Sequence, residues 1–288
     1  MAATLEYCRA NNITFEVILD EGGAIVEPPL AGMDCEMCAM VAVHEKGRLR
    51  LKCTVKNESS HVSLTAFKGN PVERMSQFIR EVTTKDIFIR RLHPQTRAMF
   101  LGLAPYCKLP MKLLMSNLWL FGGLLTKVLP KLNATAGGMV GTTCNFQEIQ
   151  GSVNSKECTA AVMLRNINEE DLKADYAAFK AVADKYGVTL ETQREEYYAP
   201  GDMSSPAYRY TMDCLAKVFP RYPAAPYILP AGTDAWRLTP VCNCVLRFAP
   251  TRMSKQQLGS IHAADENLDI AAIGEAAAFY KYFAVNYR

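Results

Sequence analysis

The sequence predicts an α/β domain interrupted by an antiparallel α+β module, and three observations carry that reading. A short apolar run at residues 15–19 is stopped by Asp20-Glu21-Gly22-Gly23, as at the carboxyl end of a buried strand, and a second buried run fills residues 241–248. Residues 48–56 instead alternate without a fault: Leu49, Leu51, Cys53 and Val55 face one way and Arg48, Arg50, Lys52, Thr54 and Lys56 the other. Such a strand has one wet face and belongs to an antiparallel sheet. From it onward the order strand, helix, strand, strand, helix, strand is that of a ferredoxin-like sheet with two helices on one face. The change of strand type sets a boundary near Lys46-Gly47, so that residues 1–46 and 203–288 make one domain and residues 47–202 the insertion.

The elements follow in order. Residues 4–11 read as the end of a helix stopped by Asn11-Asn12, which leads into the 15–19 strand. Residues 24–37, with Pro28, Pro29 and Gly32, read as a loop, and residues 38–43 as a small-residue apolar strand. Met75, Phe78, Ile79 and Val82 stand at helical spacing and predict a helix over 72–82. Residues 92–132, rich in Leu, Met and Pro without alternation, read as short packed helices. Residues 141–149 and 159–164 are strand-like; Asn168 caps a helix over 169–186 that Gly187 ends; residues 188–193 make a further strand. After position 203 come a helix over 208–219, a loop through Pro223 and Pro226, a glycine turn at 230–235 into a helix start, the buried run 241–248 and a terminal helix from 268 to about 287.

Composition narrows the classes. The 288 residues are 49% hydrophobic and 21% charged, as in an ordinary globular chain, and 32 basic against 29 acidic residues are too balanced for a nucleic-acid surface. The first residues carry an acid and a base before any apolar run, so no secretory signal is expected. The most apolar segment, residues 113–126, is bounded by Lys112 and Lys127 and is too short to cross a bilayer; a buried helix or helical hairpin is the expectation, with no membrane partner. Ten cysteines without an export signal read as reduced thiols of a cytoplasmic protein. Cys35-x-x-Cys38 and Cys242-x-Cys244 have metal-ligand character, but no second C-x-x-C or partnering histidine pair accompanies them, and they read as small buried hydrophobes.

Three stretches in this order carry a resemblance that runs over essentially the whole chain. Leu19-Asp20-Glu21-Gly22-Gly23 is followed by Glu45-Lys46-Gly47 and Ser60-His61-x-Ser63; then comes Gly232-Thr233-Asp234-Ala235; then Phe248-Ala249-Pro250 with Ile261-His262-Ala263-Ala264-Asp265-Glu266 before the last helix. Together they resemble the dinuclear zinc metallopeptidases of the aminoacylase, carboxypeptidase S, acetylornithine deacetylase and glutamate carboxypeptidase type. The resemblance implies a catalytic domain with a mixed sheet and helices, interrupted by a ferredoxin-like lid that dimerises, and an activity on N-acyl amino acids or short peptides. It implies Asp20 and His262 as zinc ligands, with Glu21 the neighbouring second choice to Asp20. It implies His61 as the residue lent across the homodimer to the substrate carbonyl oxygen, and Arg165 and Asn154 as substrate contacts from the lid. Gly232 and Thr233 form the substrate-contacting loop beside the metals. These roles suit the residue types, since zinc takes imidazole and carboxylate ligands, a histidine steadies a developing oxyanion, and arginine's planar fork matches a carboxylate.

The chain also departs from that pattern. The resembling enzymes carry a His-x-Asp motif, a bridging aspartate and a Glu-Glu pair upstream of the D-E-G-G stretch, whereas here Asp20 lies only 19 residues from the start. The residues two positions after His44, His61, His93 and His262 are Lys46, Ser63, Gln95 and Ala264, so no His-x-Asp occurs. Glu169-Glu170 and Glu195-Glu196 fall inside the lid and read as solvated surface. The loop holding Asn154 reads as shortened. An amino-terminally truncated family member is therefore expected, with an incomplete Zn2+ site and no activity alone, the alternative being a non-catalytic remnant that acts as a dimerisation or interaction module.

Overall fold

A computed structural model describes residues 2–30, 32–57, 69–132, 134–153 and 155–287. The chain divides into two compact units, one of Met1–Glu45, Leu92–Leu125 and Tyr198–Arg288 and the other of Lys46–Arg91 and Thr126–Tyr197. The first break falls between Glu45 and Lys46, while residues 92–125, assigned from sequence order to the insertion, group with the first unit.

In chain order the elements are α1 (Ala2–Ala10), β1 (Ile18–Asp20), β2 (Ile25–Val26), β3 (Cys38–Glu45), β4 (Arg48–Lys56), α2 (Pro71–Thr84), α3 (Pro94–Leu103), α4 (Met111–Ser116), α5 (Leu118–Leu132) and α6 (Ala134–Gly138). They continue with β5 (Thr143–Gln150), β6 (Glu157–Arg165), α7 (Glu169–Lys185), β7 (Thr189–Glu196), α8 (Pro206–Val218), β8 (Ala224–Leu229), β9 (Val245–Arg247), β10 (Arg252–Met253), α9 (Lys255–Ser260) and α10 (Ile270–Asn286). A 3-10 turn over Ala235–Val241 follows β8.

The second unit is the ferredoxin-like module. Its antiparallel sheet runs β5-β6-β4-β7, with β4 central and paired over its length to β6 and β7. The alternation of β4 translates directly into burial: Leu49, Leu51, Cys53 and Val55 enter the core with Val162 and Leu164 of β6, under Phe78 of α2 and Phe179 of α7. The two rings meet edge to face at 5.2 Å, a geometry worth something beyond the area they bury. α7 begins where Asn168 accepts a hydrogen bond from the Asp171 amide at 2.7 Å, and Glu169, Glu170 and Asp171 complement the helix dipole in its first turn. Asn168→Ala is expected to cost about 1 kcal/mol, measurable as a lower urea midpoint with unchanged slope.

The first unit holds a mixed sheet ordered β1-β9-β3-β2-β10, with β8 pairing β3 in parallel. β3 is buried along its whole length, as a strand covered on both faces must be. β8 corrects the reading of residues 220–229 as a loop. Pro226 sits opposite Val41, and β8 has β3 as its one partner strand among the described residues, so a residue without an N–H is tolerated at this sheet margin. The short 15–19 run is also smaller than expected: regular pairing covers Ile18 to Asp20 against β9, with Phe15 bridging Cys242. α8 and α10 pack on one another and on the sheet through Phe219, Phe248 and Phe279. α4 and α5 occupy part of the apolar 92–132 stretch, and here the expectation of a buried helix fails on one face. Leu118 and Leu125 are buried, but Leu113, Trp119, Leu120 and Leu124 are exposed.

Candidate functional site

The Asp20-Glu21-Gly22-Gly23 stretch ends β1, and its glycines have a steric cause. A Cβ on Gly23 would stand 2.1 Å from the Met40 carbonyl oxygen and 2.7 Å from that of Arg247, where only hydrogen fits, and Gly22 has φ +128°. The chain is thereby pressed between β3 and β9, with the Gly23 amide donating to Arg247 O at 3.1 Å and the Phe248 amide donating to Asp20 O at 2.6 Å. This close approach fixes Asp20 beside the Gly232-Thr233 turn. The Ala235 amide donates to Asp20 Oδ2 at 3.0 Å and, in the same direction, to Thr233 Oγ1 at 3.3 Å. Two of the residues singled out from the sequence, Asp20 and Thr233, thus share one donor.

Behind them lies a buried ion pair that sequence reasoning did not single out. Arg247 and Glu45 are both fully buried, with Arg247 Nη2 donating to Glu45 Oε1 at 3.1 Å and Arg247 Nη1 donating to Val245 O at 3.0 Å. The other Glu45 oxygen, Oε2, accepts from the Thr233 amide at 2.7 Å and from its hydroxyl at 3.4 Å. Burial lowers the Arg247 pKa, opposed by the attraction of Glu45 and, more weakly, of Asp20. Next along β3, the His44 imidazole is held down to about 4, by burial first and by the Arg247 charge second, and is neutral at physiological pH. The signal available in the sequence was a charge in each of two apolar strands: Glu45 closing Val41-Ala42-Val43-His44-Glu45 and Arg247 within Val245-Leu246-Arg247-Phe248. Two opposite charges buried in one sheet must pair.

The remaining positions are placed as follows. His262 is exposed on the turn after α9 with φ +67°, its amide donating to Glu266 Oε2 at 3.0 Å. Gly232 is half-buried and Glu21 exposed. Arg165 ends β6 in the second unit, opposite Thr143, and its charge helps to hold down the pKa of Lys46, for which burial is the main cause. Lys46 is buried and donates to Gly138 O at 3.1 Å, Gly141 O at 2.8 Å and Thr143 Oγ1 at 3.3 Å. His61 and Asn154 lie outside the described residues.

A zinc centre is not met by these groups. Among the described residues no three His, Cys, Asp or Glu side chains are gathered where one metal ion could be held, whereas a catalytic zinc needs about three protein ligands. One oxygen of Asp20 is already committed to an amide N–H and the buried Arg247 charge lies near it, which disfavours a second cation there. The ten cysteines are free thiols, with Cys38, Cys242 and Cys244 buried and their pKa values raised by burial, as apolar filling would have it.

Comparison with known proteins gives this geometry its context. Residues 43–190 match the model of the peptidase dimerisation domain of M20 peptidases, just over half of the chain. The chain is 25% identical over 290 residues to the probable carboxypeptidase S-like 2 of Dictyostelium discoideum, covering 98% of this chain and 55% of that protein. It is 24% identical over 295 residues to the N-fatty-acyl-amino acid synthase/hydrolase PM20D1 of Xenopus tropicalis, covering 96% and 54%. The chain therefore spans about half the length of the curated relatives it matches. In fold it is similar to the M20 family metallo-carboxypeptidase Sso-CP2 of Sulfolobus solfataricus, with a TM-score of 0.60 at 15% identity over 97% of this chain and 66% of that one. It is similar also to the di-peptidase Dug1p of Saccharomyces cerevisiae, with a TM-score of 0.60 at 10% identity over 99% and 63%. With its β4-α2-β5-β6-α7-β7 module matched as a dimerisation domain, the chain belongs to the M20 peptidase family.

Proposed function

We propose that these 288 residues form the dimerising, substrate-gripping portion of an M20-type amidohydrolase for N-acyl amino acids or short peptides, and that they do not hydrolyse an amide by themselves. The observation that carries this reading is the donor set around Asp20: an aspartate engaged by the Ala235 amide beside a buried guanidinium, with no third ligand gathered among the described residues. The names of the relatives, carboxypeptidase S-like and N-fatty-acyl-amino acid synthase/hydrolase, support the substrate class. In this reading Arg165 supplies a guanidinium for a substrate carboxylate, His61 and Asn154 contact the substrate from the lid, and Gly232 and Thr233 shape the wall beside Asp20. Asp20 and His262 are an incomplete pair of Zn2+ ligands. The free cysteines support a reducing, cytoplasmic setting.

Light scattering coupled to size exclusion is expected to give twice the 32.0 kDa chain mass, through the matched dimerisation domain. Supplied with zinc and N-acyl amino acids, the chain is expected to release amino acid no faster than a His262→Ala variant. Two tightly held zinc ions per chain together with turnover above that control would overturn the non-catalytic reading, and a stable monomer would overturn the dimer.

A further inference from the structure

We propose that the outward face of α4 and α5 docks this protein on the surface of an anionic lipid bilayer. The observation is an apolar face that no described residue covers. Trp119 is 79% exposed, Leu109 69%, Leu120 59%, Leu113 57% and Leu124 53%, while the opposite side of the same helix buries Leu118 and Leu125. Singly exposed leucines are ordinary, but an exposed tryptophan with Leu120 next to it and Leu124 one turn on along the same helix marks an interaction surface.

Charge identifies the occupant. Between Asp86 and Glu148 lie 61 residues without one acid, and Lys108, Lys112, Lys127 and Lys131 bracket the apolar face. Lys112, Lys127 and Lys131 are exposed and make no ion pair among the described residues; Lys108 pairs with Asp34 at 3.6 Å. A second copy of this chain would bring the same basic rim against itself. An anionic bilayer offers apolar depth to tryptophan and leucine and opposite charge to lysine, whose long stems let the ammonium reach the headgroups. No helix among the described residues is long and apolar enough to cross a membrane, so the segment lies in the interface plane. The expectation of no membrane partner rests on spanning segments alone, and the proposal concerns the membrane surface.

The test is flotation of the full 288-residue chain with vesicles of phosphatidylcholine containing phosphatidylserine, against pure phosphatidylcholine. Flotation with the anionic vesicles is expected, weakened by salt, and in a Trp236→Phe background the emission of Trp119 shifts to the blue on binding. Trp119→Gln/Leu120→Gln is expected to lower vesicle affinity by about tenfold to a hundredfold. Lys112→Gln and Lys127→Gln are expected to lower it about fivefold each, for anionic vesicles alone. All four positions are exposed, and unchanged far-ultraviolet circular dichroism verifies folding. Absence of flotation at any phosphatidylserine content, or flotation indifferent to these variants, overturns the proposal. So does a dimer that Trp119→Gln/Leu120→Gln splits, which would assign the face to a second copy.

Discussion

Arg247→Met is expected to lower the unfolding free energy by about 3–5 kcal/mol, because it leaves the Glu45 carboxylate buried without its counter-charge. Both side chains are wholly withdrawn from solvent, and what remains to Glu45 in the variant is the Thr233 amide and hydroxyl. Two such hydrogen bonds, each worth about 1 kcal/mol net, do not replace hydration of a charge. The magnitude is set by burial and not by distance. Arg252 and Glu275 stand closer, at 2.6 Å, but both are partly exposed, and breaking that pair is expected to cost under about 1 kcal/mol. The measurement is urea unfolding, with a shifted midpoint and unchanged slope. Glu45→Gln/Arg247→Met is expected to recover most of the loss, because neither charge is then left unpaired. A double variant that merely adds the two single losses would show that the residues do not act as a pair.

The module that the family match covers was the more legible half. β4 alternates because one face is wet and the other dry, and the helix start at Asn168 is a side-chain hydrogen bond that a sequence displays openly. The first unit was harder to read because its sheet is covered on both sides, so burial leaves no period to follow. β8 was hidden by Pro223 and Pro226, which mark a loop unless one knows that, among the described residues, the strand borders β3 alone. At the site, the motif residues gave Asp20 and the Gly232-Thr233 turn, and the structure joins them through one amide. The pairing of Arg247 with Glu45 is not legible because each, taken singly, looks like the polar end of an apolar strand. Their pairing is a fact of register, Arg247 lying opposite Ala42 of β3, which no local window contains. The outward face of α5 differs from its reading for a related reason: a charge-free segment too short to cross a bilayer reads as a buried helix, and the sequence does not say what covers it.

The same guanidinium links the site to pH. Between pH 6.5 and 4 the chain is expected to lose about 3 kcal/mol of stability through His44 alone, the free energy that separates its unfolded pKa near 6.5 from about 4 in the folded state. His44 is 2% exposed, so solvent screening takes little from this figure. The sign follows from proton binding. The folded pKa is depressed, so the unfolded chain takes up a proton first as pH falls; the stability is intact above 6.5, declines through the interval and is gone below about 4. Urea midpoints of the natural chain and of His44→Gln, compared at pH 7, 5.5 and 4, isolate this contribution from that of the carboxylates, which both proteins share. Parallel pH dependences would overturn it. Glu45→Gln/Arg247→Met supplies a second check, because the Arg247 charge is the second cause of the depression after burial and this variant leaves no unpaired Glu45 carboxylate to titrate in the same range. Removing the guanidinium lets His44 accept a proton at higher pH while folded, so in that background the loss between pH 6.5 and 4 becomes smaller.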